Sequence, residues 1–205
     1  GPMLTDSGGF QLFSLDHMMK PDADGVSFKA LDYDGSKHRW TPEDNMRIQE
    51  RIGADFIMPL DQCIGSPADK DAVYASTKLS WEWAERCLRA HERPDQGLFA
   101  IEQGGMHLDL RLESAKRLLE AERRVQAEGK KRFAGFGIGG YSVGESHDVM
   151  FETLGPATRA LPEDRPRYLM GVGNPTTLLR AVHEGIDMFD CGLPTRTGRM
   201  GTAFS

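Results

Sequence analysis

Three aspartates occupy positions from which they could share one site: Asp6 in TDSGGF, Asp61 in ADFIMPLDQC and Asp190 in GIDMFDCG. Asp6 precedes the flexible pair Gly8-Gly9, with Phe10 just beyond, whereas Asp61 and Asp190 each close a run that reads as a short buried strand. A carboxylate at the end of a buried strand is costly to desolvate and needs a reason to be there. Like charges gathered in one pocket raise at least one pKa, the usual way to draw an acid or base and a nucleophile from a single residue type. Such a trio could cleave a bond at an anomeric carbon. One carboxylate would attack C1′ while another carries the proton, as in retaining glycosidases. The residues alone leave open which glycoside is cut, and each aspartate by itself also reads as an N-cap or turn acceptor.

An alternating chain must position these groups. Residues 54–61 are strand-like, 68–91 carry a helical apolar period through Val73, Leu79, Trp83 and Leu88, and 97–103 are strand-like again. Helix 107–126 leads to strand 132–139, helix 145–159 to strand 167–172, and helix 175–184 to strand 186–190, after which a Gly-Leu-Pro-Thr-Arg loop is expected. Strands separated by helices of this length require parallel crossovers, so the class is α/β. Asp61-Gln62-Cys63, Gln103-Gly104-Gly105, Gly139-Gly140-Tyr141, Met170-Gly171 and Asp190-Cys191 all fall at carboxyl ends of strands, the edge where parallel sheets build ligand sites. Upstream, two alternating runs flank Asp34-Gly35 and predict a β-hairpin before a helix begun by Thr41-Pro42-Glu43. With no repeat, low-complexity stretch or linker, residues 1–205 read as one domain.

With 39% hydrophobic and 27% charged residues in 205, the chain can bury a sizeable core. No apolar run approaches the ~18 residues that span a bilayer, and GPMLTDSGG lacks both regions of a signal peptide, so the expected location is the cytoplasm, with no membrane partner. Three separated cysteines and six histidines without ligand spacing predict no metal site within the chain. A net charge of −6 argues against whole-surface nucleic-acid binding but allows a local basic patch. Arg196 with Arg199 is one candidate; Lys130-Lys131-Arg132, taken alone, reads as a solvated turn.

TDSGGFQLFSL, DGSKHRWTPE, ADFIMPLDQC, FAIEQGG, GIGGYSVGE, RYLMGVGNP and GIDMFDCGLPTRTGR together, in this order, resemble the bacterial tRNA-guanine transglycosylases, the queuine tRNA-ribosyltransferase family. The resemblance runs the length of the chain. It implies a TIM-type (β/α)8 barrel that exchanges guanine at the wobble position of GUN-anticodon tRNAs for a 7-deazaguanine base. By resemblance, Asp190 is the nucleophile on ribose C1′ and Asp6 the general acid/base. Asp61 would grip the purine N1 and exocyclic amine, Gln103 and the Gly140 N–H its carbonyl oxygen, with Gly139 beside them. Phe10, where tyrosine is common, and Met170 would sandwich the ring. Arg196 and Arg199 match positions that read the anticodon loop. Cys63 and Val143 are typical of the bacterial branch, which implies 7-aminomethyl-7-deazaguanine as the incoming base. Tyr141 stands where leucine is usual, a larger side chain at the pocket rim, and its backbone carbonyl would meet the aminomethyl group. Glu145 matches the carboxylate that supports this loop, while Gln62 and Asn174 replace a usual glutamate and lysine.

Relatives resembling this chain carry about two further β/α units before DSGGFQ and a zinc lobe after the FDC motif. An incomplete barrel, no cofactor within the chain and exposed strand edges are therefore expected, in a fragment or a partner-dependent member. The resemblance leaves room for a homodimer. The alternatives are a non-catalytic tRNA-binding or partner subunit of the same family and, more remotely, a glycoside hydrolase on the same barrel.

Overall fold

A computed structural model describes residues 1–14, 19–29 and 35–202, without the side chains of residues 12–14 and 147. It runs β1 (Leu4–Thr5), α1 (Gly9–Ser14), β2 (Met19–Asp22), β3 (Gly25–Lys29), β4 (Lys37–Trp40), α2 (Pro42–Ile52) and β5 (Phe56–Ile57). After these come α3 (Lys70–Ala90), β6 (Gly97–Glu102), α4 (Leu108–Ala127), β7 (Gly135–Ile138), α5 (His147–Arg159), β8 (Arg167–Leu169), α6 (Pro175–His183), β9 (Met188–Phe189) and α7 (Leu193–Arg199).

Strands β1, β5, β6, β7, β8 and β9 pair in that order, every pair parallel, as a half-barrel of the expected α/β class. Successive strand residues face opposite sides. Leu98 and Ala100 of β6 join the large core under the helices, with Phe136, Ile138 and Leu169. Phe99 and Ile101 belong instead to the inner cluster with Met58 and Tyr168. The same alternation sends Glu102 towards the helices and Gln103 towards the inner face, where the site lies.

Helix starts follow local chemistry. Thr41 and Asp44 form a capping box at α2 with Pro42 in its first turn, and Gly53 ends that helix in the left-handed region at φ 82°. Asp69 and Ser146 cap α3 and α5. Asn174 caps α6, its side chain accepting the Thr176 N–H at 3.0 Å.

The expected hairpin is β3 with β4, in the register Val26↔Trp40, although Asp34 of its turn lies outside the described residues. A third strand, β2, was not expected, since Pro21 demotes MKPD; as an edge strand paired only with β3 it tolerates the missing N–H. The Ala23 carbonyl of its turn accepts from Trp83 Nε1 at 3.1 Å and Arg86 Nη1 at 2.9 Å, which clips this sheet to α3.

Two expectations at the far end need correction. Strand 186–190 is not buried: β9 is two half-buried residues at the sheet edge, with Ile186 buried and Asp187 and Asp190 exposed. No further described strand covers its outer side, so Asp190 meets a smaller desolvation cost than a central strand would impose. The expected loop after Asp190 is helical from Leu193, because Pro194 sits in the first turn, where a missing N–H costs nothing. Short α1 and β1 were also not predicted; the glycine pair that read as flexible opens α1 at Gly9. Among the described residues no helix is long and apolar enough to cross a membrane.

Candidate active site

The carboxyl ends of the six parallel strands bring the candidate residues to one edge. Asp61 is buried, and Gln103 Nε2 donates to its Oδ2 at 2.7 Å across 42 residues of sequence. Gly9 presses its backbone against the same carboxylate: a Cβ there would lie 1.8 Å from Asp61 Oδ1. Burial first, and the neighbouring Asp6 second, push the Asp61 carboxyl up to about 7, against the lowering pull of Gln103 and Ser7. Ser7 is itself buried, and its Oγ accepts the Gly9 N–H at 3.1 Å. Glycine, serine and the Gln103 amide thus form a tight collar around a carboxylate that titrates near neutrality.

Asp6 lies after β1 with its residue surface exposed. Desolvation raises its carboxyl above the ordinary range, the Ser7 amide opposes this, Asp190 adds to it, and the Gly8 amide again lowers it. Asp6 is therefore the electrostatic link between the other two carboxylates. Asp190 Oδ1 accepts two hydrogen bonds, from the Tyr168 hydroxyl at 2.6 Å and the Gly171 N–H at 2.7 Å. Both fix one oxygen and the plane of the carboxylate. Burial, followed by Asp190, drives the Tyr168 phenol strongly upward, so it remains a donor.

Gly139 and Gly140 pack on the Gln103 amide so closely that a Cβ on either would lie 2.7 Å or 2.4 Å from it. Gly140 takes φ 71°, a conformation that favours glycine. Cys63 stands beside Asp61 and the Gly140 amide, and burial pushes its thiol up to about 12, with Asp61 the next cause. Glu145 accepts the Ser142 N–H, and the Val143 N–H at 3.1 Å, which holds the loop as expected. Tyr141 departs from the expected placement. Its side chain is not at the pocket rim but buried behind the loop, stacked on Arg111 with its hydroxyl 2.8 Å from Thr153 Oγ1.

Met170 is half-buried beside the inner cluster, its sulfur 3.0 Å from where a Gly137 Cβ would stand, and Phe10 is exposed in the first turn of α1. Arg196 and Arg199 are exposed, three residues apart on α7 and so on one side of it. Lys131 is half-buried and donates to the Arg93 carbonyl, and Arg132 pairs with Asp164 at 3.1 Å, so the run forms an irregular segment leading to β7 and not the solvated turn expected of it. Gln62 donates its backbone N–H to Ser80 Oγ at 2.9 Å.

Sequence reasoning missed Tyr168, Ser7, Gly9 and Arg111. Tyr168 had a signal, since it lies two residues before Met170 and so on the same strand face. Arg111 had one too, in the lone charge of Glu102 within an apolar strand.

The chain matches the family model for queuine tRNA-ribosyltransferase over residues 1–205. It is 49% identical over 205 residues to the queuine tRNA-ribosyltransferase of Desulforamulus reducens and 50% identical over 205 residues to that of Acetivibrio thermocellus. The enzyme of Pelotomaculum thermopropionicum is 47% identical over 205 residues. Each match covers 100% of this chain and 52% of the relative, so the chain spans about half the length of the curated relatives it matches. Matched by the family model over its whole length and 49% identical along that length to a relative of that name, this chain belongs to the queuine tRNA-ribosyltransferase family.

Proposed function

We propose that this chain carries the base- and ribose-handling site of a tRNA-guanine transglycosylase, a pentosyltransferase that replaces the wobble guanine of GUN-anticodon tRNAs by 7-aminomethyl-7-deazaguanine. The observation that carries the reading is the buried Asp61–Gln103 pair standing beside Asp6, which in turn feels Asp190. Asp61 offers two acceptor oxygens to the N1–H and exocyclic amine of a purine. Gln103 and the Gly140 N–H supply donors for its carbonyl, and Phe10 and Met170 supply the apolar faces on which the ring stacks.

The nucleotide leaves its stack to enter the site. Asp190, held through Oδ1 by Tyr168 and Gly171, attacks ribose C1′ with Oδ2 as the C1′–N9 bond breaks. The departing guanine takes a proton from Asp6, whose raised carboxyl suits an acid. The incoming base returns a proton to Asp6 from N9, attacks C1′ and releases the Asp190 carboxylate. Arg196 and Arg199 contact the neighbouring anticodon-loop nucleotides, where guanidinium forks suit base edges and phosphates. The Tyr141 carbonyl and Cys63 face the 7-substituent, and the buried Tyr141 side chain leaves that opening unobstructed.

The test is a denaturing gel of the protein with tRNA and a 7-deazaguanine inhibitor. A trapped protein–RNA band that disappears in Asp190→Asn supports the reading. Binding of tRNA with neither a trapped band nor guanine exchange would replace it by the non-catalytic subunit.

A further inference from the structure

Arg111 is the largest charged side chain buried completely in the described structure, and the proposed chemistry does not use it. Its guanidinium is spent on three carbonyl or carboxylate oxygens. Nε donates to the Gly105 carbonyl at 2.7 Å, Nη1 to Glu102 Oε2 at 2.8 Å, and Nη2 to the Gly139 carbonyl at 3.0 Å. Its upper face lies 3.6 Å from the centre of the Tyr141 ring. Glu102 is equally buried, and its other oxygen, Oε1, has no hydrogen-bond partner. A buried ion pair with one unsatisfied oxygen is a poor stabiliser compared with apolar residues of similar volume. Positioning is the better explanation for its presence.

The two carbonyls belong to the two loops that carry Gln103 and Gly140. The peptide unit between residues 139 and 140 contains both the Gly139 carbonyl and the Gly140 N–H, and in a planar trans peptide they point in opposite directions. Arg111 pulls the carbonyl towards α4, so the N–H is turned away from α4, to the side where the Cys63 thiol stands. Withdrawing electron density at the oxygen also strengthens the N–H as a donor. Gly140 at φ 71° has the freedom to swing this peptide, and Arg111 removes that freedom.

The second loop is held by the same helix face. A Cβ on Gly104 would lie 2.6 Å from the Arg111 backbone nitrogen, and the Gln103 N–H donates to Ser114 Oγ at 3.2 Å, three residues along from Arg111. Tyr141 closes the far side, anchored through Thr153 on α5.

We propose that Arg111 is a positioning residue for purine carbonyl recognition: by gripping the Gly139 and Gly105 carbonyls it aims the Gly140 N–H and Gln103 at the oxygen of the base. This rests on the base site proposed above. The Glu102 carboxylate balances the buried cation, and Tyr141 seals it from water.

The test measures guanine binding by calorimetry and, at saturation, the infrared C6 carbonyl stretch of bound guanine, assigned by an oxygen-18 label, in the full protein and in Arg111→Lys. The lysine keeps a cation beside Glu102 but cannot reach two carbonyls with one planar fork. The expected result is a roughly tenfold loss of guanine affinity, with the bound carbonyl stretch moving back towards that of free guanine. An affinity loss with an unchanged stretch, or no change in either, overturns the inference and leaves the base site standing. Failure of the unmodified protein to bind guanine removes the base site and this inference together. Where Arg111→Lys does not fold, the double variant Arg111→Met/Glu102→Leu removes both charges and is read in the same way.

Discussion

Asp61→Asn should stabilise the fold above neutral pH while removing purine recognition. The buried carboxyl rises from an ordinary 3.8 to about 7, first through desolvation and then through Asp6. Converted at ~1.4 kcal/mol per pKa unit, that rise sets a ceiling of ~4 kcal/mol on the cost of ionising Asp61 in the folded chain. The sign follows from proton counting. Below about pH 4 both folded and unfolded chains are protonated at this group, and it contributes nothing to the pH dependence. Between about pH 4 and the folded value near 7 the native state keeps a proton that the unfolded chain has released, so stability falls as pH rises. Above that window the full penalty is in place. Asparagine never ionises, and its carbonyl can still accept the Gln103 Nε2 bond.

Urea unfolding of the two proteins from about pH 5 to about pH 9 reads the difference directly. The variant should gain ~2–4 kcal/mol over the parent at about pH 8.5 and much less at about pH 5. Glu102, also raised by burial against the lowering pull of Arg111, adds its own slope to both proteins and cancels in the comparison. A gap that is constant with pH, or one that widens towards acid, refutes the assignment of a burdened carboxylate. The same variant should bind guanine at least roughly 100-fold more weakly, since one amide cannot accept both N–H groups. In the parent, guanine binding should tighten as pH rises through 7, where Asp61 becomes an acceptor on both oxygens.

Tyr168→Phe removes the 2.6 Å donor to Asp190 and should slow guanine exchange into tRNA by roughly 10- to 100-fold, with free guanine binding unchanged; equal effects on both would contradict its placement. Gly9→Ala puts a methyl 1.8 Å from Asp61 Oδ1, so calorimetry should find guanine binding lost and urea unfolding a stability loss of ~1–3 kcal/mol. Arg196→Ala and Arg199→Ala, both on exposed positions of α7, should each lower the salt dependence of tRNA binding by roughly one phosphate contact and leave guanine binding untouched. A tRNA titration at several salt concentrations checks this.

The helix and strand order was legible because each element advertises its own period. Helix α3 was readable from Val73, Leu79, Trp83 and Leu88, and observed Lys70–Ala90 lies within the expected 68–91. Strands were less exact. β5 keeps only Phe56–Ile57 of the expected 54–61, because the strand is ended by backbone pairing with its neighbours, which no local pattern reports. β2 was hidden by Pro21, and α7 by Gly192-Leu193-Pro194, where a loop signal and a helix start share the same residues.

The candidate site shows the same division. That Asp61, Gln103, Gly140, Met170 and Asp190 would stand at one edge followed from strand ends in a parallel order, since every βα unit delivers its following loop there, whereas β1, the strand that delivers Asp6, was not read from the sequence. How they meet did not. The Asp61–Gln103 bond spans 42 residues and the Tyr168–Asp190 bond 22, distances at which sequence periodicity is silent. The resemblance puts Tyr141 at the pocket rim, yet its ring is buried because Arg111 offers it a flat cation to stack on. The sequence by itself determined the alternating α/β plan, the family, and which residue types stand at the strand ends, for these depend on local order along the chain. Tertiary structure alone decided that Asp190 lies at an exposed edge, that Asp61 is buried enough to titrate near 7, and that Arg111 holds the loops around it. Burial and charge proximity are properties of neighbours in space, and parallel pairing draws those neighbours from far along the chain.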